Sequence, residues 1–186
     1  MPKLRWTCVF ALLLLHAGHA DMRNCLCDHE RSETLSTREC SLCKAAEAQP
    51  GEPLYFLLKD ANPNKPNRWL ALPRYHGSGP QDLRSLTPEQ RAAYWTFAIA
   101  QAREKFGDAW GLATNSLERR TQCHVHIHIG RLRRDGVEES IPAFSVVDGP
   151  AGIPYERVAD GLLVHPAGDK LHVHRGNDSP ELQLER

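Results

Sequence analysis

Leu54 to Lys59 (LYFLLK) is an apolar run of strand length, and Trp69 to Leu72 (WLAL) is a second, stopped by Pro73. Asn62-Pro63-Asn64-Lys65-Pro66-Asn67 between them is turn chemistry, so the pair predicts a hairpin. Thr87-Pro88-Glu89-Gln90 predicts a helix start, with Thr87 as N-cap, Pro88 at the first helical position and Gln90 closing a capping box. Tyr94, Trp95, Ala98, Ile99, Ala102 and Phe106 follow at helical spacing, and Gly107 ends the helix. That stripe reads as core packing rather than a cofactor box. Leu112 to Asn115 predicts a strand, and Cys123 to Leu132, which alternates strictly, predicts another. Beyond Ser140 the chain is rich in Gly and Pro. Two runs there, Leu162-Leu163-Val164 and Leu171-His172-Val173-His174, predict a hairpin about Pro166-Ala167-Gly168-Asp169. Together these elements predict an α+β fold, with an antiparallel sheet that contains the alternating strand and the 87–106 helix packed on one face.

The N-terminus follows a different logic. Lys3 and Arg5 precede an apolar run from Cys8 to Leu15, and Ala17-Gly18-His19-Ala20 places small residues before a cut. Residues 1–20 therefore read as a secretory signal peptide, with Asp21 as the mature start. The run is too short for an ordinary spanning helix. The expected location is periplasmic or secreted, or the inner membrane if the segment stays uncut as an anchor. Residues 21–50 read as a Cys-bearing, loop-rich lead-in, 51–135 as the main domain, and 136–186 as a Gly/Pro-rich C-terminal extension with the hairpin.

A chain of 186 residues, 41% hydrophobic and 25% charged, holds one ordinary globular domain. Lys+Arg and Asp+Glu both number 23, so there is no basic footprint for nucleic acid. Export alters the meaning of the cysteines. Cys25, Cys27, Cys40, Cys43 and Cys123 outlast the signal, and an oxidising compartment favours their pairing. Cys25-Leu26-Cys27 and Cys40-Ser41-Leu42-Cys43 suit two short-loop disulfides or a zinc knuckle. The odd count leaves at least one thiol unpaired or bound to metal. Cys123, on the apolar face of its strand, reads as a core thiol.

His124-Val125-His126-Ile127-His128-Ile129 carries the chemistry. On a strand, side chains two apart share a face, spaced by roughly 7 Å. Val125, Ile127 and Ile129 would enter the core, and the three histidines would line the other face. Three readings follow: a solvated face that is merely His-rich, a metal site, or nucleophilic catalysis in which one His attacks phosphorus. Spacing alone does not separate the last two. His172 and His174 repeat the pattern without its flanks and read as an exposed hairpin face, while His29 and His165 have no informative context.

The triad and its approach, Asn115-Ser116-Leu117-Glu118-Arg119-Arg120-Thr121-Gln122-Cys123, resemble the histidine-triad (HIT) superfamily, whose signature is His-φ-His-φ-His-φ-φ. The Asn-Ser, Arg-Thr-Gln and HxHxHI sequence is similar to the CDP-diacylglycerol pyrophosphatase branch. Leu57-Leu58-Lys59-Asp60 and Trp69-Leu70-Ala71-Leu72-Pro73-Arg74-Tyr75 agree with it, and the resemblance runs from about Cys40 to Arg133. The chain departs from that branch in having a shorter C-terminal region. Cys40, Cys43 and His76 resemble a different branch, which holds a structural zinc. Carried over, its ligands would be Cys40, Cys43, His76 and His124.

The resemblance implies a hydrolase that cleaves a nucleotide-linked pyrophosphate, with CDP-diacylglycerol giving CMP and phosphatidate as the first substrate. General nucleotide or phosphoramidate hydrolysis, and a periplasmic zinc-binding protein without turnover, are the alternatives. The implied nucleophile is His126, forming a nucleotidyl-histidine that water hydrolyses. His128 would contact the phosphate and His124 would order the site. Asn115, Arg120, Thr121 and Gln122 would bind substrate, Arg120 through its phosphate-matching fork. No cofactor is required for this chemistry. A contact with a membrane surface and a homodimer fit the same resemblance.

Overall fold

The protein is described by a computed structural model covering Met22 and residues 25–51, 54–74, 81–133, 143–155 and 161–186. The signal-peptide reading and His76 fall outside the described residues. Seven strands form one sheet: β1 (Tyr55–Lys59), β2 (Trp69–Pro73), β3 (Trp110–Thr114), β4 (Ile127–Arg131), β5 (Ala143–Val147), β6 (Gly161–Ala167) and β7 (Lys170–Asn177). Their order is β1-β2-β4-β3-β6-β7-β5, and every neighbouring pair is antiparallel. Among the described residues two α-helices accompany them, α1 (Ser41–Glu47) and α2 (Pro88–Phe106). The fold is therefore α+β, with one long helix packed on an antiparallel sheet, as the hydrophobic pattern predicts.

The predicted signals for α2 act where expected. The Gln90 amide donates to Thr87 Oγ1 at 3.2 Å, and the Thr87 amide donates to Gln90 Oε1 at 2.8 Å. Gly107 takes φ +55°, a left-handed conformation that ends the helix cheaply only at glycine. Tyr94, Trp95, Ala98, Ile99 and Ala102 share one core with Ala71, Leu112, Ile127, Ile129, Val164 and Val173, which lie on one face of the sheet. Both predicted hairpins form, β1–β2 and β6–β7, the second turning at Gly168 with φ +66°.

Three features differ from the sequence reading. The stretch read as a C-terminal extension supplies β5, β6 and β7 to the same sheet. The lead-in contains a helix, α1, whose Leu42 and Ala46 pack on Phe56, Leu70 and Leu72, across the sheet from α2. The disulfides also differ: they are Cys25–Cys123 and Cys27–Cys40, and Cys43 is a buried free thiol. Cys123 is thus a disulfide partner, not a free core thiol, and Cys43 does not pair. The cause is spatial, since Cys123 precedes β4 and lies in one buried cluster with Met22, Cys27, Leu35, Cys40 and Cys43. Among the described residues no helix is long and apolar enough to cross a membrane.

Candidate active site

The face of the sheet opposite α2 holds the histidines. The alternating segment is not strand along its whole length, because β4 begins only at Ile127. The residues before it are claimed by other partners. Cys123 is bonded to Cys25, its amide donates to Glu39 O at 2.8 Å, and its carbonyl accepts from Arg120 Nη2 at 2.9 Å. Alternation persists through the bend all the same. Val125, Ile127 and Ile129 enter the α2 core, and the rings of His126 and His128 stand together on the other side, 4.9 Å apart.

The three histidines have different surroundings. His124 is fully buried, and its Nε2–H donates to Pro73 O at 2.8 Å. His126 donates from Nδ1–H to His124 O at 2.8 Å. A carbonyl can only accept, so the His126 proton sits on Nδ1 and the lone pair on Nε2. Burial, with help from His128 and Arg120, pushes His126 down to about pKa 3. Burial likewise lowers His128 to about 4, against the pull of Glu181. Both rings are neutral near pH 7, so the 3.5 Å approach of His128 Nδ1 to Glu181 Oε2 is a polar contact rather than an ion pair.

Glu181 was not anticipated from sequence. It lies in a 3-10 turn at Pro180–Gln183, far along the chain from the triad. Its Oε2 accepts from Lys65 Nζ at 2.6 Å and Arg68 Nη1 at 3.3 Å, and its Oε1 accepts from Asn115 Nδ2 at 2.9 Å. Burial pushes its carboxyl up, but His128, Lys65 and Asn115 outweigh that and hold it at about 2. The C-terminal segment carries it there as a strap across β3 and β4. Ser116 N donates to Asp178 O at 2.9 Å, and Arg68 Nη2 donates to Leu184 O at 3.0 Å. Leu184 lies over Gly111 and Gly130, which face each other across β3 and β4.

A Cβ at Gly111 would stand 2.5 Å from Leu184 Cδ2, so any side chain there forces the buried Leu184 to shift. Gly111→Val should cost about 1–3 kcal/mol by overpacking. Any turnover at this site should fall beyond that loss of stability, because Glu181 moves with Leu184. Urea denaturation paired with an activity assay checks this. Unchanged activity would show that the strap does not position the site.

The protonation pattern gives a second expected result. His126 and His128 have folded-state pKa values below the ordinary 6.5. The unfolded chain therefore binds more protons below pH 6.5, and each ring favours unfolding by up to ~1.4 kcal/mol per pH unit of acidification. Stability is full above pH 6.5 and is lost as pH falls toward 4. Glu181 extends the loss, since its stabilising interactions vanish between its ordinary 4.5 and about 2. Thermal melts from pH 7.5 to 4.5 should show a falling Tm, with a flatter slope in a His126→Ala variant. An equal slope in that variant would contradict a buried neutral His126.

A cleft of about 430 Å³ opens over His126 and His128. Its walls include Leu42 and Ala45 of α1, Leu58 and Leu70 of the β1–β2 hairpin, and the polar Asn115, Thr121 and Gln122. Arg38 and Arg119 contribute positive charge, while Lys65 is paired with Glu181 and Asp60 adds a carboxylate to the lining. Lys59 reaches the rim, but its ammonium sits over the Trp69 ring at 4.6 Å. Gln122 holds the wall together. Its Oε1 accepts from Ser41 Oγ at 2.8 Å and Leu42 N at 3.3 Å, and its Nε2 donates to Arg38 O at 2.9 Å.

Arg120 has a different place from the one read for it. It is buried away from the cleft, with Nη2 donating to the carbonyls of Gln81 and Cys123. Burial lowers its pKa to about 10, which still leaves it cationic. It fixes the backbone that leads into the triad, and the cleft arginine of this pair is Arg119.

Of the Cys40, Cys43, His76 and His124 metal set, His76 lies outside the described residues and the other three are not poised as ligands. Cys40 is bonded to Cys27, burial pushes the Cys43 thiol up to about 11, and His124 Nε2 is engaged with Pro73. Among the described residues two other groups bring three ligand atoms within 4.8 Å of one another: Cys25, Cys27 and Cys123, and His165, His172 and His174. The first group is occupied by disulfides. Nor are His172 and His174 the exposed hairpin face expected from sequence, since His174 is buried and His172 half-buried, and His165 beside them is buried too.

No family model matches this chain, and no curated protein sequence matches it.

Proposed function

We propose that the protein is an exported phosphohydrolase of the histidine-triad type, cleaving a nucleotide-linked pyrophosphate through a nucleotidyl-histidine. The observation that carries this reading is the tautomer of His126. With Nδ1–H donated to a backbone carbonyl, Nε2 keeps a lone pair beside the cleft, and the ring stays neutral in mild acid. His126 Nε2 attacks the α-phosphorus, the P–O bond to the distal group breaks, and that group leaves with the electron pair. Water then displaces the histidine and releases the nucleoside monophosphate. Arg38, Arg119 and Thr121 line the cleft where charge would grow on the phosphoryl oxygens. Glu181 and Asn115 position His128 for contact with the same phosphate.

CDP-diacylglycerol, yielding CMP and phosphatidate, is the first substrate. The apolar wall of Leu42, Ala45, Leu58 and Leu70 beside a cationic rim suits a ligand with a charged head and an apolar portion. The test is incubation of the mature chain with CDP-diacylglycerol, a dinucleotide of the ADP-ribose type and a nucleoside phosphoramidate, each with and without chelator. Turnover of CDP-diacylglycerol that persists in chelator supports the reading. Turnover of only the soluble substrates favours a general nucleotide hydrolase.

A second reading, a periplasmic zinc-binding protein without turnover, is favoured by the convergence of His165, His172 and His174. Full metal occupancy with no hydrolysis of any substrate would select it. Structural zinc is compatible with hydrolysis as well, since that cluster lies outside the lining of the cleft.

A further inference from the structure

We propose that His165, His172 and His174 form a binding site for one late first-row divalent cation, zinc foremost, separate from the triad cleft. The β6–β7 register builds the site. His165 pairs directly with His172 across the two strands, and His174 follows two residues on, so all three project from one face. Their ring centroids lie 5.1 Å (His165–His172), 5.0 Å (His165–His174) and 6.1 Å (His172–His174) apart. One ligand atom from each falls within 4.8 Å of the others.

The tautomer of His165 suits a ligand. Its Nδ1–H donates to Pro166 O at 3.1 Å, which leaves the lone pair on Nε2. A backbone carbonyl holding the distal N–H is the usual outer-shell support of a metal-binding imidazole. Without metal, His165 Nε2 accepts from His174 Nε2–H at 2.8 Å. Zinc would take the place of that shared proton. His174 then binds through Nε2 with its proton moved to Nδ1, and no net proton is lost. Tetrahedral Zn–N bonds of about 2.05 Å separate two nitrogens by about 3.3 Å, so the pair must open by only about half an ångström. His172 is half-buried and gives access from solvent. Three imidazoles with no thiolate or carboxylate suit zinc, copper or nickel over magnesium or calcium. A fourth position remains for water.

The site shares a sheet face with the triad but is well removed from it. His128, Ala113, Leu163 and His174 are in register across β4, β3, β6 and β7. Three strand spacings separate the two histidines, about 14 Å. Cation binding here does not depend on the hydrolase reading, so the two fail separately.

The test uses the mature chain with its disulfides intact and no affinity tag. Cobalt(II) is titrated and followed by its tetrahedral absorption bands, and zinc is titrated by calorimetry. One equivalent should bind to the wild type and to His126→Ala alike. His172→Ala should weaken binding by more than the ~100-fold that loss of an outer-shell partner costs. Its unchanged melting temperature without metal would show that the fold is intact, and His172→Gln replaces it if it does not fold. Absence of binding at hundreds of micromolar metal, undiminished binding in His172→Ala, or loss of binding in His126→Ala would each overturn the proposal.

Discussion

Replacing His126 by alanine is expected to remove hydrolysis of the nucleotide substrate by at least about 10⁴-fold, the scale on which loss of a covalent nucleophile acts. The fold should survive. His126 takes no part in the α2 core, and it lies outside the ladder, which starts at Ile127. The variant loses one hydrogen bond, to His124 O, worth about 1 kcal/mol. It also loses a buried imidazole that is destabilising in acid, so its stability near pH 5 should match or exceed the wild type's. His128→Ala should be milder in rate, because in the proposed mechanism His128 contacts the phosphate and forms no covalent bond to it. His124→Ala should do the reverse, damaging stability more, because His124 is wholly enclosed and tied to Pro73. Steady-state kinetics with chemical denaturation of the three variants separates these effects. Activity within tenfold of wild type in His126→Ala would exclude it as the nucleophile.

The second large effect lies at the cysteines. Cys25–Cys123 closes a loop with a sequence separation of 98, and Cys27–Cys40 one with a separation of 13. On the chain-entropy model the first stabilises by about 4.7 kcal/mol and the second by about 3 kcal/mol. Removing both partners of the first, Cys25→Ser with Cys123→Ser, should therefore lower Tm by about 10–20 °C. Activity should fall too. Cys123 adjoins His124, whose carbonyl holds the His126 tautomer, and its own carbonyl anchors Arg120. The Cys27→Ser, Cys40→Ser pair should be less costly on both counts. Differential scanning calorimetry with and without dithiothreitol checks the order. A Tm unmoved by reductant would contradict the pairing.

How far the sequence foretold this arrangement depends on how local each determinant is. The α2 boundaries are written in Thr87, Pro88, Gln90 and Gly107, all within the helix or next to it, and they are observed as read. The face assignment of Val125, Ile127 and Ile129 is a two-residue periodicity and is equally local. Determinants that act across the chain were not legible. The pairing of Cys25 with Cys123 needs the fold to bring them together, and cysteine spacing alone leaves several pairings open. Arg120 carried a phosphate-binding pattern, yet burial turned it toward two carbonyls. Glu181 had no motif at all. The one signal that pointed to it was indirect: Gly111 and Gly130 interrupt strand patterns, which marks a close backbone approach, here that of the Leu184 strap. The His172-Val173-His174 echo was visible, but its meaning depended on His165 standing opposite in the β6–β7 register.

The most direct test of nucleotidyl-histidine chemistry is to catch the intermediate. CDP-diacylglycerol labelled in the cytidine is mixed with the protein in chelator and quenched under alkaline conditions within milliseconds. The adduct is then mapped by peptide mass spectrometry. Cytidylyl label on the His126 imidazole, absent in His126→Ala, is the predicted result. Turnover with no label on any histidine, or label on a residue other than His126, would contradict it.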